Sequence, residues 1–183
     1  LHRSNLGCCR IDNVVFEHCN LTEAIISHAR IKRSRFEQCD VSQGALAFHA
    51  TRIRESQFNG VNLEGHRFIE CVLTDCQFRH CNLDDTIFIS PDLTRTRFSE
   101  CTLARASFLI ASACDSAFQQ CELDNARFMG QCRLERADFA DSRMDDSTFR
   151  EALLLQANFR GTSLHRRDFS SADASGACFD LAR

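Results

Sequence analysis

Phenylalanine recurs every ten residues from Phe48 to Phe128 without a miss, and one residue stands midway between each pair. These midpoints are Ile53, Leu63, Leu73, Leu83, Leu93, Leu103, Ala113 and Leu123. The underlying period is therefore five. It extends backwards through Val41, Phe36, Ile31, Ile26, Leu21, Phe16, Ile11, Leu6 and Leu1, and forwards from Leu134 and Phe139 to Phe179. All 16 Phe lie on this lattice. A period of five fits neither a helix at 3.6 residues per turn nor a strand at 2, and a repeat this regular dictates the architecture before any other feature does.

Two residues before each central position the side chain is usually small, as in Cys81-Asn82-Leu83, Ala137-Asp138-Phe139 and Ala157-Asn158-Phe159. The pattern reads as a short flat side followed by a tight turn, with the central and the small residue both pointing inward. Composition agrees. With 16 Phe but no Trp or Tyr, the core accepts flat apolar rings that carry no polar handle. Only one Pro and seven Gly are too few for a chain of ordinary hairpins, so it must turn by another rule.

The unit of a small residue, Asp or Asn, Leu or Phe, and two variable residues resembles the pentapeptide-repeat family over essentially the whole chain. The resemblance implies an all-β fold, a right-handed quadrilateral β-helix with four units per coil. The chain departs from the family unit at its second position, where Arg, Gln or Thr often replaces Asp or Asn. Two frame shifts interrupt the lattice. Seven residues separate Leu46 from Ile53, with Leu46 and Phe48 competing for one slot, and six separate Phe128 from Leu134. The Phe alternation keeps its phase across both, so each is expected to be a bulge within one coil of a single elongated domain, residues 1–183. The slots add up to about nine coils and a rod roughly 40 Å long, at the ~4.8 Å spacing of neighbouring strands. The lattice is running at Leu1 and still running at Phe179. An uncapped solenoid exposes core and strand edges, so a segment of a longer chain, or ends covered by a partner, is expected.

Nothing in the chain reads as a signal peptide or a membrane span. A net charge of -3 argues against direct nucleic-acid binding. Nine of the 12 Cys (Cys9, Cys19, Cys39, Cys71, Cys76, Cys81, Cys101, Cys121 and Cys132) fall in the small inward slot and read as packing residues. Stacked thiols 20 residues apart suit the disulfide dihedral poorly, which points to reduced cysteines and a cytoplasmic location, or export as an unfolded effector. In His18-Cys19 and His80-Cys81 the Cys points inward and the His outward, so neither pair converges on a metal ion. His66 takes an inward slot and reads as a neutral, hydrogen-bonded core residue. No nucleophile, phosphate-loop or dinucleotide motif occurs, and neither an enzyme activity nor a cofactor is expected.

Surface residues of a solenoid stack about 20 apart. Just after the Phe of one column come Ile69, Ile89, Leu109 and Met129, flanked by Ile87 and Ile110. This apolar stripe is a candidate contact with another protein, a flanking domain or a second copy of the chain. The adjacent face carries Glu64, Asp84, Asp85, Glu122, Asp124, Asp145 and Asp146 against Arg105 and Arg143, a ladder that either solvates the rod or mimics duplex phosphates. The remaining faces mix Arg, Gln and acid without a recognisable pattern. The reading is a non-catalytic scaffold or adaptor rod in a larger bacterial protein, for which the resemblance allows effector or secretion-associated roles. The alternative, which the acidic ladder supports and the family resemblance implies, is a DNA mimic that binds gyrase and protects it from quinolones.

Overall fold

The computed structural model describes residues 1–41 and 47–183. Its backbone winds as an all-β parallel solenoid, and each side is only as long as five residues allow. Three-residue strands form three parallel sheets. One holds Arg10–Asp12, Arg30–Lys32 and Arg52–Arg54. The second holds Ala47–His49, Arg67–Ile69, Ile87–Ile89, Ser107–Leu109 and Arg127–Met129. The third holds Val15–Glu17, Arg35–Glu37, Gln57–Asn59, Gln77–Arg79, Arg97–Ser99 and Ala117–Gln119. The fourth side is built from single-residue bridges, among them Asn62↔Asn82, Asn82↔Thr102 and Thr102↔Glu122.

The corners supply the missing turn rule. Among the described residues, the backbone is left-handed two residues after each central position, as at His18 (φ 47), Glu23 (φ 57), Asp85 (φ 57) and Arg105 (φ 59). Only a few of these corners are Gly. Left-handed backbone disfavours side chains that carry a Cβ. Here it is held by amides donating to the next coil, such as Asp85 N to the Ala104 carbonyl at 2.9 Å.

The four inward columns are two of Phe and two chiefly aliphatic. One Phe column is the stack Phe48, Phe68, Phe88, Phe108, Phe128, Phe149 and Phe169. The other runs from Phe16 to Phe179. Neighbouring rings lie almost parallel, for example 4.7 Å apart at 3° for Phe88 and Phe108. From Phe108 onward the columns also touch edge-to-face, beginning with Phe108 and Phe118 at 5.8 Å and 86°. Both geometries suit the ring quadrupole, which favours offset stacks and T-shaped contacts.

The coil count differs slightly from the expected nine. Among the described residues no sheet carries more than six regular strands. Beyond Met129 every side shrinks to one bridging residue, with a two-residue turn between successive sides. The change coincides with the second frame shift. There Gly130 (φ 73) and Gln131 (φ 58) are left-handed in succession, and the pairing offset becomes 21 residues, as in Ser112↔Arg133. The first shift, with the competing Leu46, lies outside the described residues. Phe48 itself is in register with Phe68.

Candidate functional site

On a three-residue side the central residue points in and its two neighbours point out. The apolar stripe follows from that rule. Ile69, Ile89, Leu109 and Met129 are in register on adjacent parallel strands, forming one half-buried outward ladder four coils long. Ile110 stands at the corner beside it, 64% exposed and at φ 54. A β-branched residue at positive φ is a genuine outlier, and such strain clusters at functional positions. Ile87 is not part of this ladder. It lies on the opposite edge of its strand, in register with Arg67 and Ser107.

The acidic residues are also brought together, but they are engaged by the rod itself. Asp84 accepts the Ala104 amide at 2.9 Å, Asp124 the Asp145 amide at 2.9 Å, and Asp145 the His165 amide at 3.2 Å. Each carboxylate thus caps the coil above. Asp85 is paired with Arg105 at 2.6 Å, and the hydrogen bond from that guanidinium holds its carboxyl below the usual range. Arg143 bridges Glu122 at 3.4 Å and Asp124 at 2.7 Å. Glu64 accepts from Asn82 at 3.2 Å. Asp146 is an exposed, left-handed corner.

Three features inside the rod bear on chemistry. Cys71, Cys76, Cys81, Cys101, Cys121 and Cys132 are buried, and all 12 cysteines are free. Except for Cys121, these buried thiols donate to backbone carbonyls of the coil below, as Cys76 Sγ does to Ile53 at 3.3 Å, and Cys121 donates to the Gln119 carbonyl. Burial pushes the Cys71 thiol up to about 11 and Cys76 up to about 12. His66 is 5% exposed, and its Nδ1 lies 3.0 Å from the Glu64 carbonyl. Arg167 escaped the sequence reading. It fills an inward slot two residues before Phe169, where its column otherwise carries His66, Thr86, Ala106, Ala126 and Ser147. Its side chain is 3% exposed and reaches Asp145 at 3.0 Å, while Nε and Nη1 are buried without partners. The signal that could have exposed it was the breach of the small-residue rule itself.

The rod's repeat is also recognisable by comparison. A family profile described as a pentapeptide repeat region matches residues 9–88 and 65–130, and a second, for eight copies of the pentapeptide repeat, matches 132–166 and 149–183. The chain belongs to the pentapeptide-repeat family. Among solved structures it is similar to HetL, a pentapeptide repeat protein involved in heterocyst differentiation regulation from the cyanobacterium Nostoc sp. strain PCC 7120. The identity is 19%, the TM-score 0.76, and the match covers 100% of this chain and 90% of HetL. Full-length QnrB1, a plasmid-mediated fluoroquinolone resistance protein, matches at 16% identity with a TM-score of 0.37, covering 96% of this chain and 93% of that one. Similarity at these identities concerns the fold alone. No curated protein matches the sequence.

Proposed function

We propose that this pentapeptide-repeat chain is a non-catalytic interaction rod, a scaffold or adaptor that presents an apolar ladder to another protein, to a flanking domain or to a second copy of itself. The observation that carries this reading is the in-register stack of Ile69, Ile89, Leu109 and Met129 with the strained, exposed Ile110 at its edge. A contiguous outward apolar surface suits a contact, because covering it removes apolar area from water. The DNA-mimic alternative is weaker. A phosphate mimic needs free carboxylates, whereas Asp84, Asp124 and Asp145 accept amides of the next coil and Asp85 is paired with Arg105.

The test replaces Ile89 and Leu109 together with Asp. Both side chains point outward, so the circular dichroism spectrum and melting temperature should match the parent. Proteins retained from native extract by the immobilised parent should be lost on the variant, and sedimentation velocity should reveal any self-association lost with them. An identical set of retained proteins and an identical oligomeric state would remove the ladder as the contact.

A further inference from the structure

We propose that the outer face over Ile11, Ile31 and Ile53 is a cationic trough that binds an extended acidic polypeptide segment. The inference is independent of the apolar ladder, which lies on a different side of the rod.

Parallel pairing places Arg10, Arg30 and Arg52 in one register column and Asp12, Lys32 and Arg54 in a second. The columns run along the rod axis with rungs ~4.8 Å apart, and lie ~7 Å from each other across each strand. Between them is an open trough of about 270 Å³, lined by these six side chains above Ile11 and Ile31. Both nearby acids are already answered. Asp12 is paired with Arg33 at 2.8 Å and Glu55 with Lys32 at 3.1 Å. Arg10, Arg30, Arg52 and Arg54 form no ion pair among the described residues.

The rest of the rod makes this arrangement conspicuous. Elsewhere the lattice sets an acid one coil from an arginine: Arg95 on Asp75 at 2.7 Å, Arg105 on Asp85 at 2.6 Å, Arg136 on Asp115 at 2.6 Å. In the trough, Arg10, Arg30 and Arg52 are stacked directly opposite one another, and Lys32 opposite Arg54, an unfavourable arrangement that an anionic ligand would relieve. It is a local feature, since the chain as a whole carries -3.

The chemistry of the ligand follows from the lining. Planar guanidinium forks in a row match carboxylates presented along a line. An extended peptide displays alternate side chains on one face at ~7 Å intervals, within reach of arginines on either side. No lining residue is aromatic, so the trough lacks the stacking platform on which single-stranded nucleic acid depends.

The experiment uses the full 183-residue chain, a fluorescent peptide of alternating Glu and Thr, and a short labelled oligothymidylate. Fluorescence anisotropy should detect peptide binding that weakens with salt. Arg30→Gln and Arg52→Gln should each weaken it about threefold and together about tenfold, as expected for exposed charge pairs. Arg127→Gln, outside the trough, should leave it unchanged, and all variants should melt with the parent. No peptide binding at low salt, or binding indifferent to Arg30→Gln and Arg52→Gln, would overturn the site. Oligothymidylate bound more tightly than the peptide, and lost in the same variants, would overturn the choice of ligand.

Discussion

Ile110 lies against the bare Cα of Gly130: a Cβ built on Gly130 would stand 3.1 Å from Ile110 Cγ1. The two corners stack one coil apart, and the Ile110 amide donates to the Met129 carbonyl at 3.0 Å. Gly130→Ala therefore combines a left-handed penalty at φ 73 with a tight contact. It should cost about 1–2 kcal/mol in a denaturant titration. In an Ile110→Ala background the contact disappears and only the backbone penalty remains, so the two changes should be non-additive. Strict additivity would mean that the contact contributes nothing.

Arg167→Ala should leave the rod as stable or more stable, by about 1 kcal/mol or more. The change removes two buried donors that have no partner and restores the small side chain of this column. Asp145, the residue left behind, is partly exposed and keeps hydrogen bonds from Ser163 and the His165 amide. Thermal melts of parent and variant decide the matter. A large loss would mean that the Arg167–Asp145 pair is a net support of the final coils.

Much of this fold was legible because two residues in five must meet the core. Phe68, Phe88 and Phe108 sit where the ten-residue spacing put them, and Ile69, Ile89 and Leu109 share an outward column because they share a phase. The lattice could not reveal what neighbouring side chains do with one another. Asp84 and Asp124 read as a charged surface, yet they cap amides 20 or 21 residues onward. The stacking of Arg10, Arg30 and Arg52 needed the register of the third coil, which sits beyond the first frame shift and changes the offset from 20 to 22. Ile87 flanks the ladder from the other end of its own strand, in the column of Arg67 and Ser107.

The buried thiols predict alkaline instability. Cys71 and Cys76 have native values of about 11 and 12, raised by burial from an ordinary 9.0. Between those limits the unfolded chain ionises while the native one stays protonated. Their contribution is intact below pH 9 and is lost as pH rises through 11 and 12, at about 1.4 kcal/mol per pH unit for each thiol. With no Tyr and Lys32 the only lysine, the other groups that titrate there are chiefly the remaining free cysteines, several of them raised by burial as well. Guanidinium midpoints should be flat from pH 7 to 8.5 and fall steeply above, and Cys76→Ala should flatten the fall. A midpoint independent of pH would contradict the account.

The interaction claim is tested most directly by placing a photo-crosslinking amino acid at Ile110, beside the apolar ladder, and in a second protein at Asp146 on the acidic face. Both are exposed, left-handed corners, so the two probes differ chiefly in which face they sample. Irradiation in native extract should give discrete adducts from position 110 that vanish when Ile89 and Leu109 are replaced with Asp, and none from position 146. Adducts confined to position 146 would contradict the apolar ladder as the rod's contact surface and restore the acidic face in its place.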